Sequence, residues 1–243
     1  ETYRGIRNAL RYQLSNLYDF DPAKHTIGDD QLTGLDRWIL GEFAKIEADV
    51  VAAYDKCEFH VVYQKLSQFI AVELSSIYHD VIKDRMYTDA ANSPRRRSTQ
   101  TALYRLVTSL CQLLSPILAF TADEAWEFVP GKCASIHEVK WSPISVACTA
   151  GHKNIWSDFF AIRSRIVLPE LEKARQERII GKSLDAKVTV GWNLKSWEFH
   201  ESEQKLDTTL RDLGELLGVS KVSISSSQED SAKAIVSKAD GQK

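Results

Sequence analysis

The chain has 243 residues, with Lys+Arg 31 against Asp+Glu 33 and a net charge of -2. Hydrophobic residues at 44% and charged residues at 26% are the proportions of a soluble globular protein, and they exclude a collagen, a long disordered chain or a coiled-coil rod. The length suits one large domain or two ordinary ones, and no run of about 18 apolar residues is present to span a membrane.

The opening Glu1-Thr2-Tyr3-Arg4 has no apolar signal core and no methionine, so the chain reads as a piece of a longer one. Residues 3–17 read as a first helix, with Ile6, Leu10, Leu14 and Leu17 on one face and Arg4, Arg7, Asn8 and Arg11 on the other. Asp19-Phe20-Asp21-Pro22 breaks it. Thr33-x-x-Asp36 resembles a capping box and opens a helix over about 34–55. The next helix, about 59–86, carries a broad apolar stripe through Phe59, Val62, Leu66, Phe69, Ile70, Leu74, Ile77 and Val81. A turn-rich loop over 89–94 leads into Arg95-Arg96-Arg97 and a helix over about 95–114, which Pro116 bends or ends. Thr121-x-x-Glu124 reads as a second capping box, opening a short helix through Trp126 and Phe128. Residues 1–130 are thus expected to form an antiparallel helical bundle.

Periodicity fades after Pro130, and residues 131–152 read as a linker. A helix is expected over about 153–180, kinked at Pro169 and stopped at Gly181. Ala186-Lys187-Val188-Thr189-Val190 alternates with period two, as a half-buried strand does. A helix over 203–217 and a strand over Val219–Ile224 complete a small α/β domain across 153–225, followed by a polar tail at 226–243. The fold expected is mainly α: a helical bundle followed by a small α+β domain.

Cys57, Cys111, Cys133 and Cys148 form no Cys-x-x-Cys pair, which argues for a reducing, cytoplasmic setting. The six histidines show no ligand spacing, so no metal site is expected from this chain alone. No phosphate-cradling glycine loop or nucleophile elbow is present, and no catalytic residue is expected. Tyr78-His79-Asp80 has the composition of a proton relay, but adjacent helical residues point in different directions.

Residues 83–105 carry Lys83, Arg85, Arg95, Arg96, Arg97 and Arg105 against Asp84 and Asp89, a local charge of +4. With Arg4, Arg7 and Arg11 they would form one patch if the bundle brings the two regions together. Such a patch suits a polyanion, since each neutralised phosphate releases counterions. Tyr12 and Tyr87 lie beside it and could stack on unpaired bases. The plainer alternative is a solvated charge run. Three arginines at a helix start also oppose the helix dipole.

Particular strings then stand in order: Arg7-Asn8-Ala9-Leu10-Arg11, Asn16-Leu17-Tyr18-Asp19-Phe20-Asp21-Pro22, Asp36-Arg37-Trp38-Ile39-Leu40, the run Tyr78 to Tyr87, and the run Ser115 to Trp126. Together they resemble the anticodon-binding region of bacterial-type isoleucyl-tRNA synthetases, a class I family. Leu171-Glu172-Lys173-Ala174-Arg175 and the run Ile180 to Ala186 are similar to the junction domain that follows it. The family's ATP-site signatures, His-Ile-Gly-His and Lys-Met-Ser-Lys-Ser, are absent from the sequence. The resemblance therefore implies recognition rather than chemistry. The partners implied are an isoleucine tRNA, through its anticodon loop, and the catalytic domain of the same enzyme; no membrane partner is implied, and a monomer is expected. ATP with magnesium, and zinc, are implied for the full-length enzyme only. The residues implied to bind tRNA are Arg4, Arg7, Asn8, Arg11, Arg85, Tyr87, Arg95, Arg96 and Arg97. The basic stretch 163–187 is open to two readings, backing of the tRNA or a solvated helix. Two further readings of the chain stand beside the first: a stand-alone RNA-binding protein, or a helical protein-interaction module derived from such a synthetase.

Overall fold

A computed structural model describes residues 2–132, 134–144, 156, 159–192, 213–226 and 233–239. The chain divides into two compact units, Glu1–Thr149 and Ala150–Lys243.

The first unit is helical. It comprises α1 (Thr2–Ser15), α2 (Pro22–His25), α3 (Gly34–Asp55), α4 (Phe59–Phe69), a wider π-type stretch (Ile70–Tyr78), α5 (His79–Val81), α6 (Lys83–Thr88), α7 (Pro94–Leu114) and α8 (Ala119–Trp126). The elements from α4 to α6 follow one another without a loop, where the sequence predicts a single helix. Short connections join the long helices, so neighbours run antiparallel. The central α7 packs against α1, α2, α3, α6 and α8. Its buried Leu103, Leu106, Val107 and Leu110 meet a core that includes Leu10, Ile39, Phe43, Leu66 and Leu74. Burial of each such side chain contributes about 1.5–3 kcal/mol.

Local chemistry sets the helix ends. The Thr33 hydroxyl accepts from the Asp36 amide at 3.4 Å, as the capping pattern predicts. The second expected capping box does not form. Leu118 is the N-cap of α8, and Thr121 lies inside the helix. Thr121 and Glu124 turn instead to α1, where Thr121 Oγ1 hydrogen-bonds the Tyr3 hydroxyl at 3.0 Å and Glu124 pairs with Arg7 at 2.6 Å.

Residues 134–144, read from the sequence as linker, pack on this unit. Ile136 is buried, Trp126 Nε1 donates to the Ala134 carbonyl at 2.8 Å, and the Ile144 amide donates to Glu47 at 2.7 Å. Gly131 makes the turn possible, with φ at 75° and its Cα so near Pro22 that a Cβ would meet that ring at 3.2 Å.

In the second unit, helical residues 159–162 lead through a π-type turn (Arg163–Val167) into α9 (Leu168–Gln176). The wide turn directly precedes Pro169, whose ring nitrogen cannot donate to the helix ladder. The helix ends before the expected stop at Gly181; Arg178 takes the left-handed conformation at φ 57°. Three strands follow, β1 (Ala186–Trp192), β2 (Lys221–Ser226) and β3 (Lys233–Lys238), in the order β2-β1-β3. β1 runs parallel to β2, with Val188 opposite Val222, and antiparallel to β3, with Val188 opposite Val236. Ala186, Val188 and Val190 are buried, as the alternation predicts. β3 lies in the segment expected to be a polar tail; the pattern Ala234-Ile235-Val236 was too short to stand out there. Of the helix expected at 203–217, residues 213–217 are helical and 203–212 lie outside the described residues.

Candidate nucleic-acid interface

The outer face of α1 is cationic by spacing. Ile6, Ala9, Leu10 and Gln13 face inward, so Arg4, Arg7, Asn8 and Arg11, three and four positions apart, share the exposed side. α1 contains no acidic residue. The carboxylate that reaches its outer face is Glu124 of α8, at 2.6 Å from Arg7 Nη2.

Tyr12 turns inward from this face. Its ring lies 4.3 Å from that of His79, and its hydroxyl donates to the His79 carbonyl at 3.2 Å. Burial raises the Tyr12 phenol, and the hydroxyl of the neighbouring Tyr87 adds to the effect. Tyr87, 68% exposed, is thereby brought beside α1. His79 is buried and held neutral, its pKa lowered to about 3 by burial and then by Lys83. Asp80 is exposed and paired with Lys83 at 2.8 Å, so Tyr78, His79 and Asp80 form no relay.

The remaining arginines of the sequence-derived set have a different setting. Arg85 is fully buried. Its Nη1 donates to Thr33 Oγ1 at 2.9 Å, to Thr99 Oγ1 at 3.3 Å and to Asp36 Oδ2 at 3.5 Å. Asp36 also accepts from the Tyr78 hydroxyl at 2.6 Å and from Ser98 at 2.5 Å. Arg95 grips Asp89 with two bonds of 2.8 and 2.6 Å. Arg96 holds Asp19 with two, of 2.6 and 2.9 Å. Arg97 donates to the Asp19 carbonyl, Gln100 and Asn92. Burial of the Asp19 carboxyl works to raise its pKa, but donation from Arg96 and Gln100, and the charges of Arg96 and Arg97, hold it below the usual carboxylate range. Donation from Arg95 lowers Asp89 as well.

With side-chain exposures of 1%, 3% and 10%, Arg85, Arg96 and Arg97 are internal braces and present no surface to a polyanion. That corrects the expectation of one pooled patch, since the count over 83–105 could not include Asp19 and Asp36. Asp19 and Asp36 stand in the quoted strings and were the available signal.

Sequence reasoning also missed a cleft of about 680 Å³ between α1 and α8. Leu10 and Leu14 line it together with Arg7, Arg11, Tyr18 and Phe128. Tyr18 and Phe128 are 81% and 67% exposed.

In the second unit, Arg163 Nε donates to the Leu216 carbonyl at 2.9 Å, and Arg175 bonds Glu172 and Ser183. Among the described residues no group of three or more His, Cys, Asp or Glu is arranged to hold a metal ion, and no helix is long and apolar enough to cross a membrane.

The family profile described as "Anticodon-binding domain of tRNA ligase" matches residues 36–190. The isoleucine–tRNA ligase of Sodalis glossinidius is 40% identical over 221 residues, which cover 89% of this chain and 22% of that protein. The isoleucine–tRNA ligase of Desulfitobacterium hafniense is 38% identical over 238 residues, 97% of this chain and 25% of its own length. That of Syntrophotalea carbinolica is 44% identical over 191 residues, covering 77% and 20%. The chain thus spans about a quarter of the length of these curated relatives. By the extent of the profile match, and in keeping with these relatives, the chain belongs to the anticodon-binding domain family of tRNA ligases.

Proposed function

We propose that this chain is the tRNA-recognition part of an isoleucine–tRNA ligase, and that the outer face of α1 docks the anticodon loop of an isoleucine tRNA. The observation that carries the reading is the exposed, acid-free helix face of Arg4, Arg7, Asn8 and Arg11 in a chain of this family. Arginines there would hold loop phosphates and position the RNA. Asn8 has both a donor and an acceptor, so it can read a base edge, and the exposed Tyr87, a neighbour of Tyr12, could offer a ring. Arg95, partly exposed and shared with Asp89, would be a further candidate for a phosphate contact.

In the complete ligase, isoleucine would be activated with ATP and magnesium and joined to the tRNA. Magnesium and zinc would be held by the rest of that enzyme. The chain alone would bind without catalysing, as a monomer in the cytoplasm.

The test is binding of this chain to a hairpin RNA carrying the isoleucine anticodon loop. Arg4→Ala and Arg11→Ala should each weaken binding and make its salt dependence shallower by about one unit of log–log slope. Unchanged affinity and slope in both variants would remove the α1 face from the interface.

A further inference from the structure

We propose that Tyr18 is a stacking platform for one unstacked base of the RNA loop, with Arg96 as the residue that positions its ring. The inference rests on the RNA-docking reading above and names a site within it.

Tyr18 is 81% exposed, yet its backbone is fixed on both sides. Leu17 and Phe20 are buried, and the turn is closed by the Leu17 amide on the Leu14 carbonyl and the Phe20 amide on the Leu17 carbonyl, both at 3.0 Å. The ring is tethered at its hydroxyl end. Arg96 Nη2 donates to the Tyr18 hydroxyl at 3.5 Å, and the guanidinium carbon lies 5.8 Å from the ring centre. Arg96 is itself buried and locked by the two-pronged bond to Asp19, so the group under the ring stays in one place. A ring biased toward one position by such a contact loses less freedom when a partner stacks on it.

The surroundings select the occupant. Tyr18 lines the α1–α8 cleft with the apolar Leu10 and Leu14, and Arg7 and Arg11 line the same cleft. An apolar floor, an exposed aromatic face and two cations match a nucleobase with its flanking phosphates, because a base presents a flat π-face and its backbone carries the charge. An apolar protein segment would have no use for the two guanidinium groups.

The experiment measures binding of this chain to the isoleucine anticodon hairpin, with 2-aminopurine placed at each loop position in turn. Wild type should quench the fluorescence at one loop position on binding. Tyr18→Ala, an exposed change that leaves the core intact, should weaken binding about tenfold, the size expected for one lost base–aromatic stack, and abolish that quench. Tyr18→Phe keeps the ring but loses the hydroxyl that Arg96 holds; the quench should remain while affinity falls about threefold, the mark of a positioning role. Phe120→Ala removes a ring 93% exposed that does not line the cleft, and it should change neither reading. If Tyr18→Ala binds and quenches like wild type while Arg11→Ala weakens binding, the platform is wrong and the docking face stands. Equal losses in Tyr18→Ala and Phe120→Ala would also overturn it, as a general apolar effect. Wild type failing to bind the hairpin would overturn both.

Discussion

α1 and the first turn of α7 each carry three arginines, and the two sets have opposite fates. Those of α1 point to solvent, met by Glu124 alone among the described carboxylates, at Arg7. Those of α7 are met by Asp89 from the preceding loop and by Asp19 from the turn after α1. A guanidinium taken out of water without a partner is strongly unfavourable. Arg96 and Arg97, at 2% and 8% exposure, are tolerated because Asp19 pairs with both and Gln100 and Asn92 accept further bonds from Arg97. The same carboxylate offsets the unfavourable placing of positive charge at a helix start. The role of an arginine is thus set by where the chain places its counter-charge.

The comparison breaks most sharply at the buried braces. Asp36→Ala removes the buried carboxylate 3.5 Å from Arg85 and the acceptor of the Tyr78 hydroxyl, and it should destabilise the first unit by about 3–5 kcal/mol. Urea unfolding measures this, and a loss under about 1 kcal/mol would mean that Arg85 is not held by charge.

Asp19→Asn comes next. It weakens the bonds to Arg96 and should destabilise by about 2–4 kcal/mol at neutral pH. The pH dependence has a defined sign. The folded Asp19 pKa lies below its unfolded value, so its contribution is complete above about pH 4 and is lost as pH falls through the folded pKa. The gap between wild type and Asp19→Asn, followed by thermal unfolding, should close on acidification. The buried His79 is common to both proteins and cancels in the difference. A gap that widened in acid would contradict the pairing. Arg4→Ala and Arg11→Ala, by contrast, should leave stability within about 0.5 kcal/mol while weakening RNA binding, the reverse of the α7 pattern.

Much of this fold was legible because helical periodicity is strong where one face packs. The Thr33 cap, the apolar stripe from Val62 to Leu74 and the alternation of β1 all follow from local spacing, although Phe59, counted in that stripe, is exposed. The failures share a cause. Thr121 and Glu124 have the spacing of a capping box, but α1 lies close enough to take both side chains. The count over 83–105 saw cations without Asp19, 77 residues from Arg96. Tyr18 gave no signal because a tyrosine in a turn is ordinary; its meaning comes from Arg96 beneath it and the cleft beside it. Local pattern predicts elements, whereas the site depends on pairings between distant segments.

The smallest expected effect separates two roles for the Arg7–Glu124 pair. Both side chains are half exposed, at 50% and 51%, so water screens the pair and it adds little to stability. Glu124→Gln should leave unfolding unchanged within about 0.5 kcal/mol. If Glu124 chiefly competes with RNA phosphates for Arg7, the variant binds the anticodon hairpin about two- to threefold more tightly at low salt, and the gain fades as salt screens the exposed charges. If Glu124 instead aims Arg7 into the cleft, the variant binds more weakly. The first outcome is expected, because a carboxylate beside an acid-free cationic face lowers its potential for a polyanion whatever direction Arg7 takes.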